Sequence, residues 1–113
     1  MSGQRATSRE LLNYGALFSA YVVALHATDG PWKNWSKGDV IDNWWYTHVF
    51  WGWLGARMNQ SFGQHMTLTA ANETVEFLAR TYRPDLMWGS PETTANVAMD
   101  FVGNALGWYL GKR

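Results

Sequence analysis

"NVAMDFVGNALGWYLG", Asn96 to Gly111, is the stretch on which the fold turns. Val97, Phe101, Ala105, Trp108 and Tyr109 recur at helical spacing, so the segment reads as an apolar helix. Asn96, Asp100 and Asn104 stand four apart and therefore share one face. Gly103, Gly107 and Gly111 lie on that same stripe. Each helical glycine costs about 1 kcal/mol against alanine, and contact with water gives no return for that cost. Rows of small residues with polar companions let helices approach closely, as they do in membranes. An acid within such a bundle faces the interior and a partner. The stripe is therefore expected to face inward and the bulky side outward, toward lipid.

Three further helices are predicted upstream. Leu11 to Thr28 carries no charge over 18 residues, at the lower edge of what spans a bilayer core of roughly 30 Å. Asp29-Gly30-Pro31 stops it. "NWWYTHVFWGWLGA" (Asn43–Ala56) is again uncharged, and as a helix it sets His48, Trp51, Gly52 and Gly55 on one side. "TLTAANETVEFLARTY" (Thr67–Tyr82) places Thr69, Glu73, Glu76 and Arg80 on one face, with Leu68, Ala71, Val75, Leu78 and Tyr82 opposite. The expected architecture is a single all-α domain over residues 1–113, with helices at about 8–28, 42–58, 67–82 and 92–111. It is read as a small polytopic membrane bundle, with a soluble bundle as the competing reading.

Composition narrows the function classes. Nine basic residues balance nine acidic ones, which argues against a nucleic-acid partner. No cysteine is present, so disulfides, thiolate metal sites and thiol nucleophiles are excluded. "MSGQRATSRE" lacks the pattern of a signal peptide. Eight tryptophans favour places where a ring is half dry and half wet. Trp32, Trp35, Trp44 and Trp45, with Lys33 and Lys37 nearby, are expected to act as interfacial anchors. The expected localisation is integral membrane, on composition and pattern, and the loop charges lean toward a cytoplasmic N-terminus. Expected partners are membrane lipids and other membrane subunits.

Four side chains that can carry chemistry come from three helices: His48, Glu73, Glu76 and Asp100, with Asn96 and Asn104 beside them. Such a set can bind a divalent metal, relay protons, or supply acid and base to an amphipathic substrate. No H-x3-H or E-x2-H signature is present, so no metal is assigned and any cofactor is unknown. The alternative is a structural network, because buried polar groups must be paired whatever their role. Gly52, Gly103, Gly107 and Gly111 are the expected helix-packing positions.

"WYTHVFWG" (Trp45–Gly52), "ETVE" (Glu73–Glu76) and "NVAMDFVGNALG" (Asn96–Gly107), in this order, resemble the DUF2585 (UPF0314) group of small bacterial membrane proteins, itself distantly similar to the VanZ-like family. The shared pattern is H-x3-G at His48 and Gly52, E-x2-E at Glu73 and Glu76, and N-x3-D with a later Gly at Asn96, Asp100 and Gly107. The chain departs from it at Asn72, where the group carries Trp, and at Phe77, where it carries Asn. The resemblance covers about residues 41–111 and implies a multi-span bundle without an assigned reaction. The expected function is that of a structural or accessory subunit of a membrane assembly or membrane-containing particle. The alternative is an enzyme or binding protein for a lipid-linked or amphipathic substrate.

Overall fold

The computed structural model describes residues 5–35, 41–87 and 93–113. Four α-helices carry the described residues: α1 (Ser8–Ala27), α2 (Asn43–Arg57), α3 (Phe62–Tyr82) and α4 (Thr94–Lys112). Short 3-10 turns occupy Pro31–Asn34 and Pro84–Met87, and no strand is present among the described residues. The all-α, four-helix expectation holds. The expected start of the last helix at Glu92, together with Lys37 and residues 1–4, lies outside the described residues.

Each helix starts where a side chain satisfies the first free backbone N–H groups. Thr7 and Glu10 form a capping box on α1, Asp42 accepts from the Trp45 amide on α2, and Thr93 accepts from the Asn96 amide on α4. Ser61 and Gln64 form a second capping box, and it starts α3 at Phe62 rather than at the expected Thr67. The loop expected at Met58–Met66 therefore shrinks to a tight connection. Asn59 turns it in the left-handed conformation (φ 69°), which asparagine tolerates better than most residues.

α2 packs most extensively against α4, and the contact is backbone on backbone. A Cβ on Gly52 would collide with the Asn104 carbonyl, and one on Gly107 with the Val49 carbonyl. A Cβ on Gly111 would sit 2.5 Å from the Trp53 carbonyl, and one on Gly103 would sit 2.9 Å from the Trp45 indole nitrogen. α1 is held at longer range by side chains. Trp51 sits among the rings of Tyr14, Phe18 and Tyr21 at 5.6, 5.1 and 5.2 Å, and the Tyr14 hydroxyl donates to the Trp51 carbonyl at 3.2 Å.

Burial is inverted relative to a water-soluble bundle. Among the described residues the buried apolar side chains are Ala6, Tyr14, Trp51 and Ala56. The buried polar ones are Asp42, Gln60, His65, Thr69, Glu73, Asn96, Asp100 and Asn104. Leu68, Ala71, Val75, Leu78 and Tyr82, the apolar side of α3, all face outward.

No helix among the described residues is long and apolar enough to cross a membrane. That corrects the polytopic-membrane expectation, the integral-membrane localisation and the orientation that went with it. The reasons are physical. α2 has 15 residues, about 22 Å at 1.5 Å per residue, short of a ~30 Å hydrocarbon core. α3 carries Glu73, Glu76 and Arg80, and α4 carries Asp100 and two asparagines among its glycines. The tryptophans expected as interfacial anchors are half-buried. Trp32 donates to the Leu25 carbonyl at 3.1 Å, Trp45 donates to the Met99 carbonyl at 2.9 Å, and the Trp35 and Trp44 rings stack edge-on at 4.8 Å.

The backbone contact sets an expected mutational contrast. Gly107→Ala drives a methyl into the Val49 carbonyl and should lower stability by about 1–3 kcal/mol or more. Gly15→Ala, on an exposed stretch of α1 with nothing within 4 Å, should raise it by about 0.5–1 kcal/mol. Chemical denaturation of the two variants measures both.

Candidate functional site

The polar stripe of α4 meets His48 of α2 and Glu73 of α3. One ligand-capable atom from each of His48, Glu73 and Asp100 lies within 4.8 Å of the others. Asp100 is 3% and Glu73 9% exposed, so the trio is shielded from bulk water. Glu76 does not join it. It accepts from Asn72 at 2.8 Å and lies 3.8 Å from Arg80, at the half-buried flank of α3.

Asn104 links the trio to a second histidine. Its Nδ2 donates to His48 Nδ1 at 2.9 Å and to the Asp100 carbonyl at 2.9 Å, and its Oδ1 lies 2.8 Å from His65 Nε2. Because the carbonyl can only accept, it fixes which end of the Asn104 amide is nitrogen. His48 Nδ1 then accepts, and its proton sits on Nε2, facing Asp100 Oδ1 at 3.3 Å. His65 Nδ1 lies 2.8 Å from Gln60 Oε1. The order along the chain of contacts is Asp100, His48, Asn104, His65, Gln60. Farther along α4, Asn96 Nδ2 donates to Asp42 Oδ2 at 2.9 Å, so the α2 cap is tied to the same face.

Gln60, His65 and Asp42 were not among the residues singled out from sequence. His65 and Gln60 are both 1% exposed. The signal for His65 was the S-x-x-Q capping box at Ser61–Gln64, which extends the helix back through it. Asp42 stood directly before an uncharged helical run, the position of an N-cap. Gln60 carried no local signal.

Burial sets the protonation of the site. It pulls the His48 imidazole down to about 4, opposed in part by the negative charge of Asp42. It also lowers His65, against the Asn104 hydrogen bond that favours the proton. It pushes the Tyr14 phenol up. His48 is thus neutral near pH 7, and its contact with Asp100 is a long hydrogen bond rather than an ion pair. The arrangement can tie three helices together, exchange a proton between imidazole and carboxylates, or hold a cation through one nitrogen and two oxygens.

No family model, curated protein or solved structure matches this chain.

Two outcomes follow from the geometry. The unfolded chain takes a proton on His48 at its ordinary value near 6.5, and the folded chain only near 4. The His48 contribution is therefore intact above about pH 6.5 and is lost as pH falls toward 4, a change of about 3 kcal/mol. In chelator-treated buffer, His48→Gln should flatten the pH dependence of unfolding across that window. Separately, Asn104→Leu strips partners from His48, His65 and the Asp100 carbonyl. It should cost about 3 kcal/mol or more, at 1–3 kcal/mol for each buried group left unsatisfied. Asn13→Ala on exposed α1 should change stability by no more than about 0.5 kcal/mol.

Proposed function

We propose that this chain is a structural or accessory subunit, one that works by packing its apolar exterior against partner protein while an internal polar network holds its own helices in register. The inverted burial carries the reading. Val75, Leu78 and Tyr82 of α3 are 63%, 47% and 75% exposed, and on α4 Val102, Leu106, Tyr109 and Leu110 are all more than 40% exposed. Large apolar side chains exposed at helical spacing, as these are, mark an interaction site, since isolated monomers seldom keep large apolar patches in water. The faces are helical and uncharged, so their complement is the apolar face of another helix.

A second reading uses the polar trio chemically, on an amphipathic substrate. It is favoured by the meeting, within 4.8 Å, of one residue from each of the three motifs that carry the DUF2585 resemblance: His48, Glu73 and Asp100.

The test of the first reading is assembly. Replacing Val75, Leu78 and Tyr82 together with serine should leave helicity and unfolding behaviour intact and abolish crosslinked or co-purifying complexes from the native source. A wild-type chain that stays a lone monomer under native crosslinking would overturn it.

A further inference from the structure

We propose that His48, Glu73 and Asp100 form a binding site for one divalent transition-metal ion of the zinc class. The donor set is one imidazole nitrogen and two carboxylate oxygens, the kind of mixed site that such ions accept. The donors arrive from α2, α3 and α4, and each is anchored in a helix rather than a loop. His48 Nε2 and Asp100 Oδ1 stand 3.3 Å apart. That is long for a hydrogen bond to a carboxylate, but it matches the ~3.4 Å edge between two ligands that each lie ~2.1 Å from a tetrahedral zinc ion. A divalent ion also offsets the cost of burying two carboxylates together. Three protein ligands leave a fourth position for water or for an oxygen of a bound molecule.

The contacts behind His48 supply an independent observation. A metal-bound histidine gives its other ring N–H to an acceptor. For His48 to present the Nε2 lone pair, its proton must move to Nδ1, and the Asn104 amide must turn so that Oδ1 accepts it. Asn104 Nδ2 then donates to His65 Nε2, and the His65 proton moves to Nδ1. Gln60 Oε1 already stands 2.8 Å from that nitrogen, placed to accept. With His65 protonated on Nε2, Gln60 Oε1 faces a bare nitrogen and Gln60 Nε2 lacks a partner; the contact becomes a hydrogen bond when the His65 proton sits on Nδ1, as in the metal-bound polarity, or when the Gln60 amide itself turns. No proton is gained or lost within the two imidazoles in this reversal. The turn gives up the Asn104 bond to the Asp100 carbonyl, a cost that the ion's bonds to its three ligands offset.

Equilibrium dialysis of untagged, chelator-stripped protein against Zn2+ should load one ion per chain and raise the unfolding temperature. Glu73→Gln and Asp100→Asn should each weaken Zn2+ binding at least tenfold, the low end of what disturbing a zinc site costs. Glu76→Gln, outside the trio, should bind as the unmodified chain does. Nitrogen-15 spectra of the imidazoles should show His48 exchanging its Nε2 proton for an Nδ1 proton when Zn2+ is added, a readout that needs no variant to fold. Failure to load Zn2+, equal binding by the Glu73 and Asp100 variants, or a response confined to the exposed His26 would each overturn the site.

Discussion

The structure depends on the direct contact of two helix backbones. Gly52 lies against the Asn104 carbonyl and Gly107 against the Val49 carbonyl, so α2 and α4 approach more closely than any side chain would allow. That approach brings the short reach of His48 to Asn104 and Asp100. With a methyl at either glycine the helices would separate, and the polar groups between them would lose their partners together. Close packing and polar pairing are in this sense one constraint, which is why glycines and amides share a stripe.

Asn104 is the point where this constraint becomes chemistry. A single amide serves His48, His65 and the Asp100 carbonyl, and through them it joins α2, α3 and α4. Its orientation dictates which nitrogen of each imidazole holds the proton. Buried polar networks of this kind hold helices in register, because an arrangement that leaves a member unpaired is costly. The outer surface makes the complementary demand. With Trp51 and its ring of aromatics as the main apolar cluster inside, most large apolar side chains are left outside. The same feature that organises the interior gives the exterior its affinity for other apolar surface.

Much of the fold was legible locally. The breaker at Asp29-Gly30-Pro31 is a short-range signal, and helical periodicity marks the four helices. The caps at Thr7, Asp42, Ser61 and Thr93 are equally local; the one at Ser61 matters most, because the residues after it look like a polar loop and the helix they belong to starts earlier than expected. Glu73 and Glu76 show the limit. Three residues apart on one helix, they are equivalent in pattern, yet one enters the interior and the other pairs at the flank with Asn72 and Arg80. The membrane expectation failed for a related reason. Glycine rows, tryptophans and uncharged stretches describe how helices pack. Span is a matter of length and apolarity, and no helix among the described residues has enough of both.

The sequence by itself determined four helices, the stripe of Asn96, Asp100 and Asn104, and the glycines beside it, because helical periodicity assigns residues to faces without reference to the rest of the chain. Only the tertiary structure decided what the inward polar stripe meets: that His65 and Gln60 complete the network, and that Glu73 rather than Glu76 meets His48 and Asp100. A face is fixed by the period of its own helix. Its burial is fixed by what stands opposite, and here that comes from residues tens of positions away.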